Sequence, residues 1–358
     1  MLIVDAHEDL GWNMLTFGRD YTRPAAQTRL AEAGSGIDLF NGDSLLGWPD
    51  YLRGRVGVVF GTLFATPQRF CNGPWDTQCY RDARQARRLY QAQLDAYERL
   101  FDGCPDKFRA VRTQQDLQAV LEGWKAPEAA VGVVTLMEGA EAVQEPAELE
   151  EWWQRGVRLI GPAWAGTRFC GGTKEPGPLT KEGYALLDGM AELGFTLDLS
   201  HMDEMAALQA LDSYPGRIIA SHSNALAVLK GSDSNRHLSD RVIRGILERG
   251  GVIGIVLFNK FLKQGWKQGD RRDEVGLEHV VIQIDYLCQM SGDACHVGIG
   301  SDFDGGFGWQ STPREIDTVA DLTRLDPLLT AKGYSAADIS AILGENWLDH
   351  LRQSLPES

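Results

Sequence analysis

Five short apolar runs in this chain each end at a residue able to hold or activate a divalent cation. His7 and Asp9 close the run at 2–6, Glu138 closes 131–137, His201 closes 196–200, His222 closes 217–221 and Asp302 closes 297–301. Imidazole and carboxylate are the donors that zinc and its neighbours accept. His7-x-Asp9 puts two of them on one side of an extended chain. Alone that triplet is common, and a structural hydrogen-bonding role is the plainer reading. A carboxylate such as Glu138, after seven mostly apolar residues, is expensive to bury unpaired. An arginine or a pair of metals would compensate it, because its two oxygens can bridge two ions. His201 and His222 each follow a serine at the end of a run, one strand–helix unit apart, and are the strongest single candidates. Asp302 follows Gly298-x-Gly300, a fragment of a dinucleotide fingerprint. No helix opens there, so that cofactor reading fails; a carboxylate beside metals can instead take a proton from water. Arg236, in the loop 234–240, has the bidentate geometry to clamp a substrate carboxylate, although most loop arginines form surface salt bridges. Asp304 is assigned to its turn, and His237, His279, His296 and His350 to solvent or packing.

The elements that must position these residues are readable as well. Besides the five runs above, 56–63, 156–160 and 252–257 are rich in Val, Ile and Leu, making eight strand-like runs. Most lack alternation, as expected when both faces of a parallel strand are buried. Helical stretches lie at 81–100, 113–121, 145–155, 180–194, 203–211, 239–249 and 277–290, many opened by Ser, Thr or Asp and closed by Gly. One or two helices are expected after Ser335. The alternation predicts an α/β fold: one (β/α)8 TIM barrel of the metal-dependent hydrolase type, a single domain over 1–358. In that fold the C-terminal strand ends share one face, so the candidate ligands meet there. Irregular stretches near 34–49 and 170–178 are expected to shape the pocket.

A formal charge of −15 over 358 residues argues against nucleic-acid partners and anionic membranes. The sequence contains no apolar stretch of the roughly 20 residues that spans a bilayer. Met1 leads straight into strand-like sequence, with no basic-then-apolar leader. The expected location is cytoplasmic. The six cysteines are scattered, so reduced thiols are expected; Cys71 and Cys79 flank a Gly-Pro turn and could approach each other, but free thiols are the plainer reading for them too.

In order, residues 5–9, 137–139, 198–201, 221–225, 236–240 and 300–305 resemble the motifs of the membrane (renal) dipeptidase family, within the amidohydrolase-like metal-dependent hydrolases. The resemblance runs from Val4 to about Leu351 and includes a closing segment at 332–335 and 343–347. It implies a barrel holding two Zn2+ ions per chain, with Mn2+ or Co2+ as substitutes. His7 and Asp9 would hold one ion, His201 and His222 the other, and Glu138 would bridge them. Asp302 is implied as the acid/base and Arg236 as the residue receiving the substrate's C-terminal carboxylate. Two such cations acidify a bridging water and polarise the scissile carbonyl. The implied reaction is hydrolysis of unblocked dipeptides, C-terminal D-residues included. One position departs from the family: Trp164 stands where members commonly carry a substrate-contacting histidine. Glu8 stands where Asn is frequent. Trp164 motivates an alternative on the same metal site, a hydrolase of another amide or ester such as an N-acyl amino acid or lactone. A barrel that only binds a ligand is the third reading. The absence of a Gly-x-Ser-x-Gly elbow argues against a Ser-His-Asp hydrolase. The partner expected is a small dipeptide-like molecule, and a homodimer is left open.

Overall fold

The computed structural model describes residues 1–126 and 129–358. Among them, eight parallel strands form the barrel: β1 (Ile3–Glu8), β2 (Val56–Phe64), β3 (Val131–Glu138), β4 (Val157–Gly161), β5 (Thr196–Asp198), β6 (Ile218–Ile219), β7 (Ile253–Ile255) and β8 (Val297–Ile299). They are hydrogen-bonded in the order β6-β5-β4-β3-β2-β1-β8-β7. A parallel bridge between Ala220 and Ile253 joins the two ends of that path. All eight correspond to the apolar runs, and nearly every residue in them is buried. Successive side chains alternate between the two faces, and both are buried because helices cover the outside and side chains fill the inside.

The barrel's interior below the site is packed with Val4, Ala6, Phe60, Val134, Leu136 and the indole of Trp347. Trp347, from the C-terminal helix Asn346–Ser354, donates Nε1–H to the Ile299 carbonyl at 3.0 Å. A Cβ on Gly298 would fall 2.0 Å from that indole, and one on Gly300 would fall 1.9 Å from the Ser221 carbonyl. The glycines that imitated a nucleotide motif are therefore there for close packing.

The helices predicted from capping residues are present. Thr113, Thr180, Asp203 and Ser239 each accept a backbone N–H at the start of theirs. The stretch 145–155 differs: Pro146–Glu148 is a 3-10 turn and the α-helix begins only at Leu149. Proline has no N–H to donate and sets the entry geometry. Short elements without a strong period escaped the sequence reading, including the helices Leu10–Thr16, Ala25–Glu32 and Trp48–Gly54 and the strand Phe108–Ala110 beside β3. Of the two irregular stretches, the first contains a short helix, Ile37–Phe40, and the second an antiparallel hairpin, Cys170–Gly172 with Glu175–Leu179. Among the described residues no helix is long and apolar enough to cross a membrane.

One expectation is overturned. Cys71 and Cys79 are not free thiols but form a disulfide, with Cα atoms 5.9 Å apart. The chain returns on itself between them because Thr66–Pro67 pairs with Cys79–Tyr80, a contact that composition cannot reveal. Cys104, Cys170, Cys288 and Cys295 are free.

Candidate active site

The six metal-centre residues named from strand ends converge at the C-terminal mouth of the barrel. His7 lies within β1 and Glu138 ends β3. Asp9 caps the end of β1, and its Oδ1 accepts the Thr62 hydroxyl of β2 at 2.7 Å. His201 and Asp302 follow β5 and β8 with φ of 67° and 63°, left-handed conformations that non-glycine residues seldom adopt. Such strain concentrates at sites where side-chain direction is functional. Asp302 is drawn inward by its N–H, which donates to the His7 carbonyl at 3.1 Å.

Glu138 lies at the centre. Its Oε2 is 3.6 Å from His7 Nε2, while its Oε1 is 3.1 Å from His201 Nε2 and 3.3 Å from His222 Nε2. His7 Nε2 also lies 3.8 Å from an oxygen of Asp9 and 3.8 Å from one of Asp302. That nitrogen is fully buried and has no hydrogen-bond partner. Ligands bound at about 2.1 Å around one tetrahedral ion sit roughly 3.4 Å apart, which is the range of these separations.

The proton inventory makes the same point. Ser221 Oγ donates to Asp198 Oδ2 at 2.5 Å and lies 2.8 Å from His222 Nδ1. With its own hydrogen committed, Ser221 can only accept from that nitrogen, so His222 Nε2 carries a lone pair. Thr173 Oγ1 lies 2.9 Å from His201 Nδ1 and can accept from it in the same way. The Nε2 atoms of His201 and His222 are 3.0 Å apart beside a carboxylate oxygen. Lone pairs so placed repel one another unless a cation lies among them. The donor set therefore fits metal, and two groups, His7 with Glu138 and His222 and His7 with Asp9 and Asp302, make a dinuclear metal-binding site. A further group, Cys71, Asp76 and Cys79, has its sulfurs tied in the disulfide.

Electrostatics divide the histidines. Burial lowers His201 to about 4, with Arg236 adding to the effect, and holds His222 well below the usual range. Both are neutral, as ligation requires. Burial also opposes a charge on His7, but Glu138, Asp9 and Asp302 outweigh it and carry His7 up to about 9. Burial would raise Glu138, yet His7 and bonds from all three histidines keep it ionised. Asp302 is pushed up, by burial first and by Asp9 and Glu138 against the opposing pull of His7. Glu8 faces away from this centre: it is fully buried against the Tyr51 hydroxyl at 2.5 Å, its carboxyl pushed up by burial and Asp5.

A cavity of about 280 Å³ opens over the centre, and Arg236 and Trp164 both line it. Arg236 is buried, donating to Ser223 Oγ at 3.1 Å and to the His222 carbonyl at 2.8 Å. Its Nε has no partner, and among the described residues no carboxylate lies within ion-pair distance. Trp164 lies beside the His201 ring, 6.0 Å between centroids, and packs with Phe64 at 5.3 Å.

A model of the membrane dipeptidases, peptidase family M19, matches residues 1–354. The chain belongs to that family. A curated protein of Klebsiella pneumoniae, described as an uncharacterized protein in the pqqA 5' region, is 34% identical over 232 residues, 62% of this chain and 82% of that one. Dipeptidase tcpJ of Claviceps purpurea (strain 20.1) is 24% identical over 314 residues, 84% of this chain and 67% of that one. Among solved structures, the metallopeptidase dipeptidase AC superposes with a TM-score of 0.80 at 25% identity, covering 100% of this chain and 99% of that one. A Rhodobacter sphaeroides metallopeptidase, liganded with a phosphinate mimic of L-Ala-D-Ala, gives 0.79 at 24% identity, covering 99% of both chains. This M19 member is a metal-dependent dipeptidase on an amidohydrolase-like barrel.

Several residues of the site had no role assigned to them from the sequence, although Asp198 and Ser221 fall within the motif stretches 198–201 and 221–225. Asp198, Ser221 and Thr173 hold His222 and His201 through hydrogen bonds, and residue type alone does not reveal those partners. Asp304 does more than serve a turn. It is fully buried and accepts from Arg19 at 2.9 Å, Tyr21 at 3.0 Å, Ser44 at 2.8 Å and the Leu45 N–H at 2.9 Å. It thereby fastens the segment carrying Asp302 to the long connection after β1.

Proposed function

We propose that the two metals are zinc and that the substrates are unblocked dipeptides, those with a C-terminal D-residue included. The observation that carries this reading is the pairing of a Glu138-centred ligand set with a buried arginine that lacks an anion. In this reading His7 and Asp9 would hold one ion and His201 and His222 the other, with Glu138 offering an oxygen to each. Bound zinc would supply Lewis acidity to an attacking water and to the scissile carbonyl.

The chain's own residues do the rest. Arg236, held by Ser223 and the His222 carbonyl, receives the substrate's C-terminal carboxylate. That contact fixes the distance from the terminus to the peptide bond under attack and so selects short substrates. Asp302, its carboxyl raised by burial, takes the proton of the attacking water on an Oδ and passes it to the departing amine nitrogen. The apolar rings around the cavity exclude bulk water. Trp164 has a donor on its indole but no acceptor and no charge, so it shapes the pocket without taking a proton. The phosphinate bound by the Rhodobacter sphaeroides relative mimics a dipeptide ending in D-Ala, which supports the stereochemical part of this reading.

The test is a metal-defined screen of L,L-, L,D- and N-acylated substrates on wild type and Arg236→Ala. The expected result is turnover of free dipeptides, with the variant raising KM for them by about 2–3 kcal/mol of lost charge-assisted binding. Turnover of N-acyl amino acids or lactones without any dipeptide hydrolysis would favour the alternative amide or ester hydrolase.

A further inference from the structure

The aromatic lining of the cavity comes from different parts of the chain. Phe258, Phe261 and Phe307 follow β7 and β8, with Phe258 and Phe307 stacked at 4.3 Å. Arg236 Cζ lies 5.3 Å from the Phe261 ring, so a carboxylate held by Arg236 brings its own residue beside this group. The second group is Trp12, Phe40 and Trp75. Trp12 is three residues beyond Asp9 and Trp75 follows β2, so this group lines the cavity from the β1 and β2 side and the first from the β7 and β8 side.

Trp75 is the centre of that second group. Phe40 stacks on it at 5.0 Å and 13°, Phe17 at 5.7 Å and 19°, and Trp12 meets it edge-on at 6.1 Å. It projects from the segment closed by the Cys71–Cys79 disulfide. The base of that segment is fixed twice more: Thr66 N–H donates to the Gln78 carbonyl at 2.9 Å, and Gln93 Nε2 to Gln78 Oε1 at 3.2 Å. A ring held this firmly at a pocket wall is pre-organised to pack against ligand, because little side-chain entropy remains to be lost on binding.

Resting on the dipeptidase reading above, we infer that Trp75 is a specificity-determining residue. The N-terminal side chain of the substrate packs against Trp12, Phe40 and Trp75, and the enzyme prefers dipeptides whose N-terminal residue is aromatic or large and apolar. The disulfide keeps that wall in place. A Gly or Ala at this position would leave the wall facing water, whereas a Phe covers it and adds an aromatic pair.

The experiment compares kcat/KM for Phe-Ala, Ala-Phe and Gly-Ala in wild type, Trp75→Ala, Trp75→Phe and the double variant Cys71→Ala/Cys79→Ala. Calorimetric Kd values of the metal-free proteins for Phe-Ala and Gly-Ala give a readout independent of turnover. Expected are a wild-type preference for Phe-Ala over Gly-Ala, and its reduction by about tenfold in Trp75→Ala, the size of one lost aromatic contact. Trp75→Phe should restore most of that preference, and the double variant should shift it in the same direction as Trp75→Ala. Equal losses for Phe-Ala and Gly-Ala, or a loss confined to Ala-Phe, would overturn the assignment. Trp75-dependent binding of Phe-Ala by a protein that hydrolyses none of the three would instead remove the dipeptidase reading and leave the wall intact.

Discussion

Ser221→Ala tests the orientation of the proposed metal ligand His222, whose Nδ1 lies 2.8 Å from Ser221 Oγ, whereas His7 Nδ1 is more distant at 3.5 Å. Asp198 Oδ1 accepts the N–H groups of Ser200 and Ser221 at 3.0 and 2.9 Å, and Oδ2 accepts the Ser221 hydroxyl. This leaves Ser221 Oγ as the acceptor for His222 Nδ1–H. The imidazole is completely buried, so without that oxygen its N–H has no water to turn to. Leaving a buried donor unpaired costs about 1–3 kcal/mol. The alternative tautomer places a proton on Nε2, where it would compete with the metal. Either route predicts a weakening of the ion held by His222 by about 10–100-fold, the range found when partners of ligating histidines are removed. An ion held by His7 and Asp9, as proposed, should change less, because Ser221 Oγ is at the longer distance of 3.5 Å from His7 Nδ1. Chelator competition with zinc, followed through both binding steps, reads this directly, and the melting temperature of the metal-free protein shows whether the fold is intact. Two unchanged steps in a folded variant would refute the hydrogen-bond accounting.

Asp302→Asn should retain both metals and its KM while kcat falls by about 10²–10⁴, the usual contribution of a general acid/base. Metal analysis beside steady-state kinetics separates this from ligand loss, and a near-normal kcat would remove Asp302 from proton transfer. His350 is buried with Nε2 3.2 Å from the Thr196 hydroxyl, and desolvation, with Arg217 adding to it, lowers its pKa to about 3. Its unfolded-state pKa is about 6.5, so above that pH neither state binds the proton and stability is full. As pH falls below that value only the unfolded chain is protonated, and by pH 5 about 2 kcal/mol is lost. Denaturant unfolding at pH 7 and pH 5 should show that loss shrink in His350→Leu; an equal loss in both proteins would contradict it.

Sequence and tertiary structure divided the work along a physical line. A buried parallel strand is a local pattern of apolar residues, and a metal ligand is a local chemical type. Eight runs with His7, Asp9, Glu138, His201, His222 and Asp302 at their ends were thus legible without coordinates, and barrel topology alone places such ends on one face. Hydrogen-bond partners and packing neighbours carry no such local mark. Only the folded chain directs one oxygen of Glu138 to His7 and the other to His201 and His222. It joins Asp304 to Arg19 across 285 residues. It also closes Cys71 onto Cys79, which composition had read as free thiols, and so sets Trp75 at the pocket wall. Those contacts depend on where strands and connections meet in space. Residue types along the chain decided what chemistry was available; the meeting of distant segments decided which atoms perform it and which side chains surround the substrate.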